Sequence, residues 1–287
     1  LTESKRLRKL KADLIKELPF FPNDKTTLAD LKNQGLQGVL LHYLHWKTRI
    51  VPPRRRRVEI APEVTSDRRW TSLKADINRL LEKVRNGEDI YPYHSKRAHR
   101  KGYTPIQGTQ NDGVDSWEDK DQLLNTMGFY HFHLDMNVLS SGLSERTDDV
   151  LFAFVSRETF HAIGIFDHSV FEHTAHDKSM TAERERMWEL HEKHTTHGMA
   201  PGTVYISNPI MMSGHPLYVV EMCSHYARII TEIDQKLDDR MFVNSLYEEG
   251  GLTVPIKYSF EWRFSGLDLG LFDKRTDTFF SFHKGHI

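Results

Sequence analysis

A chain of 287 residues with 38% hydrophobic and 11% aromatic content is long enough for one large domain or two smaller ones around a sizeable core. Its 39 Lys and Arg nearly balance 40 Asp and Glu, which excludes a global polyelectrolyte partner and leaves room only for local charged patches. The single cysteine, Cys223, excludes an internal disulfide and a cysteine-based zinc site and fits a reducing, cytoplasmic setting. No signal peptide is recognisable and no apolar run is long enough to span a bilayer. The 17 histidines are the compositional departure, and they turn attention to histidine or metal chemistry.

In chain order, Thr2 caps a first expected helix to about residue 18, stopped by Pro19, with Leu7, Leu10, Leu14, Ile15 and Leu18 at helical spacing. After a turn at Pro22, Asn23 and Asp24, a second helix opens at Thr27 or Asp30 and runs through Leu31, Leu36, Val39, Leu40, Tyr43, Leu44 and Trp46. Gly35 and Gly38 weaken it or permit close packing, and His42 and His45 border the core. Pro52 and Pro53 end it. Arg54, Arg55, Arg56 and Arg57 follow, as phosphate ligands, as a solvated linker or as partners of carboxylates. Residues 58–60 read as a strand that presents alternate arginines on one face. Residues 70–86 read as a third helix with Leu73, Ile77, Leu80, Leu81 and Val84 on its core side, stopped at Gly87. Residues 91–122 read as a long loop. It is basic at Lys96, Arg97, Arg100 and Lys101 and acidic over 111–121, either a substrate-gripping element or a plain surface loop.

The chain is organised around residues 123–168. Residues 129–134 read as an aromatic-rich strand, 150–155 as a second and 160–166 as a third. Successive strand side chains alternate faces, so His131 and His133 share one face while Tyr130, Phe132 and Leu134 take the other. The meander brings these imidazoles, Arg146, Asp167 and His168 together only if the register is right. Beyond it, 180–197 reads as a helix whose His191, His194 and His197 suit a final turn through the helix dipole or, on adjacent turns, offer metal ligands. Residues 203–206 read as a short strand and 215–237 as a long helix. Residues 253–264 form a further strand, and 267–272 and 278–283 a hairpin turned at 273–277. These elements predict an α+β fold. Its expected parts are a helical N-terminal region (1–88), a loop or linker (89–122) and an α+β histidine-bearing domain with a mixed, mainly antiparallel sheet (123–287).

Three functions fit this pattern. The first is a metal-independent endoribonuclease: His131 and His133 as base and acid for internal attack by the ribose 2′-hydroxyl, Arg146 against the phosphorane charge, and Arg54–Arg57, Lys96, Arg97, Arg100 and Lys101 along the phosphates. The second is a metal-dependent enzyme. Its H-x-H pair, His131 and His133, would be joined by Asp167, His168 and His173 around zinc, iron or manganese. The cupin pattern expects a glutamate soon after such a pair, where this chain has Asp135, and a second glycine-rich histidine motif that is not evident. A two-histidine phosphoesterase expects a hydroxyl residue two places after each histidine, where His131 is followed by His133. The third is a non-enzymatic nucleic-acid or protein-binding module, with a protein partner or a homo-oligomer as the expected assembly.

The run from Arg146 to His168, RTDDVLFAFVSRETFHAIGIFDH, resembles the sheet core of RelE-type toxin ribonucleases, in which an arginine precedes paired strands. The resemblance covers residues 123–173; the flanking helices and C-terminal strands lie outside the minimal toxin pattern. It implies a toxin-like RNA-cleaving activity, and the expected chemistry needs no cofactor.

Overall fold

The computed structural model describes residues 3–105, 118–172, 179–205 and 207–287. In the described residues the chain runs through α1 (Lys5–Glu17), α2 (Lys25–Asn33), α3 (Leu36–Lys47), β1 (Arg57–Ile60), α4 (Pro62–Thr65), α5 (Trp70–Asn86), α6 (Lys96–Arg100) and α7 (Gln122–Met127). It continues with β2 (Phe129–His133), β3 (Asp149–Val155), β4 (Thr159–Asp167), α8 (Ala182–Thr195), α9 (Leu217–Asp234), α10 (Arg240–Glu249), β5 (Phe260–Ser265), β6 (Asp268–Asp273) and β7 (Thr278–His283). The fold is α+β, with one mixed and one antiparallel sheet.

The chain divides into two compact units, and neither is contiguous in sequence. The first comprises Leu1–Thr48, Arg100–Asp119 and Ser213–His286; the second comprises Arg49–His99, Lys120–Met212 and Ile287. These boundaries cut across the expected divisions at 88 and 122.

In the first unit, α1 and α9 pack on α3, and α1 also packs on β5 of the β5-β6-β7 sheet. The expected second helix is interrupted at Gln34 and Gly35: both are extended, and α3 restarts with Gly35 as its N-cap. Ser4 caps α1 through its hydroxyl, while Thr2 lies outside the described residues. His42 and His45 are buried, with ring centroids 5.3 and 4.9 Å from that of His215. Helix α10 was not expected, and within 253–264 strand geometry begins only at Phe260. The hairpin of β6 and β7 lies within a residue of its expected bounds.

The second unit holds a four-stranded sheet in the order β1-β4-β3-β2. Strands β2, β3 and β4 form the expected antiparallel meander, and β1 adds parallel to β4. Gly128 closes α7 in the left-handed region at φ 75°, which glycine adopts without a Cβ penalty, and so turns the chain directly into β2. The core under one sheet face is made by Phe129, Val150, Phe152, Ile163 and Phe166 against Leu123 and Met127 of α7 and Met187 and Leu190 of α8. Gly164 stands opposite Phe152, and a Cβ there would come within 2.7 Å of the Phe166 ring. A half-buried ion network fixes α8 against β4: Arg69 donates to Asp67, to Glu183 and to the Ile165 carbonyl, and Arg186 pairs with Asp67 and Glu183. The long loop expected over 91–122 contains α6 and the start of α7, and residues 203–205 are not in a strand; Ile206 and most of the acidic segment lie outside the described residues.

Candidate active site

Strand alternation puts Phe129, His131 and His133 on one face of β2. Phe129 is sealed in the core, whereas His131 and His133 on the same face meet a cavity of about 580 Å³. His131 and His133 line that cavity together with Arg146 and His168. The register that places them is His131 opposite Phe152 and His133 opposite Val150, with Val150 in turn opposite Phe166 near the end of β4. His168 opens the 3-10 turn His168–Phe171 directly after β4, which sets its ring centroid 5.7 Å from that of His133; His131 and His133 lie 6.3 Å apart.

The cavity is cationic. Lys96, Arg97, Lys120, Arg146 and Arg184 line it with Asp121 as their acidic counterpart among the described residues. Arg146 is held by a 3.0 Å hydrogen bond to the His94 carbonyl. Asp121 caps α7, accepting from the Leu124 N–H at 3.1 Å. Burial pushes the His131 imidazole below its ordinary pKa, with Asp121 opposing the shift and His168 and Arg146 adding to it. Burial pushes His133 down to about 3, reinforced by Arg146. Burial therefore favours the neutral form of both imidazoles. His168 is exposed, and its Nδ1 lies 2.7 Å from the Asp148 carbonyl. A carbonyl only accepts, so Nδ1 carries the hydrogen in this contact.

The other expected residues fall elsewhere. Asp167 does not line the cavity: it caps the 3-10 turn, accepting from the Ser169 N–H at 2.9 Å, and stands 3.7 Å from Arg69. His173 lies outside the described residues. Among the described residues no group of three or more His, Cys, Asp or Glu is arranged to hold a metal ion. Of the four successive arginines none lines the cavity. Arg56 is buried, donating to the carbonyls of Ser156 at 2.8 Å and Pro52 at 3.0 Å; this is a structural clasp in place of the expected phosphate contact. Arg57 pairs with Glu59 at 2.6 Å, and Arg55 is exposed. Arg100 and Lys101 belong to the first unit, where Lys101 bonds Glu118 at 2.5 Å. Lys120 and Arg184 line the cavity and were not singled out from the sequence. Both sit in segments whose pattern reports only polarity, and α8 shows Arg184 as an ordinary first-turn residue.

No helix of the described residues is long and apolar enough to cross a membrane. Set against family models, curated proteins and solved structures, the chain matches none, and its functional assignment rests on the geometry of this cavity.

Proposed function

We propose that the second unit is a ribonuclease that cleaves phosphodiesters by internal attack of the ribose 2′-hydroxyl. The observation that carries the reading is the convergence of three histidines and five cationic side chains on one cavity. The cations suit a phosphate, and Arg146 can meet its oxygens with a fork that stays charged. Neutral His131 or His133 takes the 2′-hydroxyl proton. The acid role is assigned to His168, which lines the same cavity, is anchored through Nδ1 on the Asp148 carbonyl and has its ring centroid 5.7 Å from that of His133. An intramolecular nucleophile favours RNA over DNA because the attacking hydroxyl is already held beside the phosphorus. RNA is then the partner. The buried free Cys223 suits a reducing compartment such as the cytoplasm. The RelE-type resemblance implies the same chemistry.

The test is RNA cleavage in excess chelator by the wild type and by His131→Ala, His133→Ala and His168→Ala. Loss of either acid or base lowers the rate by about 10²–10⁴. Cleavage that disappears with chelator and returns with added zinc, iron or manganese favours the metal reading. Salt-sensitive RNA binding without turnover favours a binding module.

A further inference from the structure

One wall of the cavity is apolar, and the phosphate chemistry makes no use of it. Val170 and Phe171 supply this wall from the same 3-10 turn that carries His168. Val170 is fully buried and anchors the turn in the core, while Phe171 is 37% exposed. The turn is held at Ser169: Asp167 accepts from its N–H at 2.9 Å, and the Thr181 hydroxyl donates to its carbonyl at 2.8 Å. Phe171 therefore stands on a fixed support. Its ring centroid is 4.9 Å from that of His131 and 5.7 Å from that of His168.

We infer that Phe171 is a stacking platform for a nucleobase, and that the cavity takes a single-stranded ribonucleotide segment, base on Phe171 and phosphate on the cationic wall. The inference rests on the phosphodiester reading above and narrows its substrate. A base inside a duplex has both faces covered by its neighbours, whereas an unpaired base offers a free face to a protein ring. Stacking on one aromatic side chain tolerates any base, because every base has a π-face. A cavity of about 580 Å³ is in the size range of small-ligand sites and holds one nucleotide unit.

The experiment titrates the full chain with two probes, inorganic phosphate and adenosine 3′-monophosphate, by calorimetry. Phe171→Leu retains apolar bulk and the fold while removing the aromatic face; Phe171→Trp retains the face. The nucleotide binds the wild type more tightly than phosphate does. Phe171→Leu weakens the nucleotide by about 5- to 150-fold, leaving phosphate unchanged, and Phe171→Trp preserves nucleotide affinity. Nucleotide affinity unchanged in Phe171→Leu, or lost equally in Phe171→Trp, overturns the stacking role, as does a wild type that binds nucleotide no better than phosphate. Each of those results leaves the phosphate cleft standing. A wild type that binds neither probe removes the cleft reading itself, and the stacking role with it.

Discussion

His94 offers a direct measure of how the buried histidines of the second unit respond to acid. The side chain is 2% exposed, and its Nε2 accepts the Val51 N–H at 2.8 Å. Protonating Nε2 would set one N–H against another, and burial opposes the charge as well. Burial, with His99 and His131 adding, pushes the imidazole down to about 3. The sign follows from proton counting. Below its ordinary pKa of about 6.5 the unfolded chain binds a proton that the folded chain refuses, so stability falls as pH falls, by about 1.4 kcal/mol per pH unit. Between about pH 7 and about pH 5 the loss is on the order of 2 kcal/mol, and it continues until pH nears the folded-state value. His94→Gln keeps an acceptor for Val51 and removes the titration. Urea unfolding of wild type and variant at the two pH values should show the variant losing about 2 kcal/mol less than the wild type. His133, pushed down to about 3, still titrates in both chains, so some acid sensitivity persists. An identical pH-dependent loss in the two chains would refute the reasoning.

Other outcomes follow from the same contacts. Arg146→Gln removes a cation that holds His131 and His133 neutral, so their pKa values rise. The acid limb of any pH–rate profile then moves to higher pH, and histidine ring shifts followed by NMR check the direction. Arg56→Ala removes the charged donor to the carbonyls of Ser156 and Pro52. It should lower stability by about 1–3 kcal/mol in chemical denaturation without changing the salt slope of RNA binding. The double variant Lys96→Ala/Arg97→Ala should flatten that slope by roughly 1.4, at about 0.7 per phosphate contact on a single strand. Gly164→Ala drives a methyl into the Phe166 ring and the Leu190 side chain. A loss of about 1–3 kcal/mol is expected in thermal or urea unfolding.

The strands of the central meander were legible because their aromatic and β-branched runs are bounded by polar turns and begin at Gly128. The shared face of His131 and His133 follows from the two-residue repeat alone. Alternation does not say what covers a face. Phe129 shares that face and is core, packed with Met187 and Leu190 of α8, and no periodicity in 182–195 announces that contact. The arginine run divides among its readings for a related reason, with Arg57 on a carboxylate partner, Glu59. Four adjacent cations read as a solvated or phosphate-facing patch, but β1 adds beside β4 and turns Arg56 inward onto the Ser156 carbonyl. The second expected helix failed at a single peptide: the apolar spacing continues through Gln34 and Gly35, and only their extended backbone breaks it. Lys120 and Arg184 reach the cavity through tertiary packing, which no local signal encodes.

The interleaved order of the units has a consequence for synthesis. Apart from Ile287, the second unit has all its residues once Met212 has been made, whereas the first still lacks Ser213–His286. Helix α1 emerges well before the strand it packs on, β5. At about 5–20 residues per second, the missing stretch takes roughly 4–15 s to translate. During that interval the ribosome carries a unit able to close beside helices whose apolar sides, including Leu10 and Leu14, have no sheet to meet. Chaperones that hold exposed helices have their opening here, and a premature stop after Met212 leaves that exposure permanent.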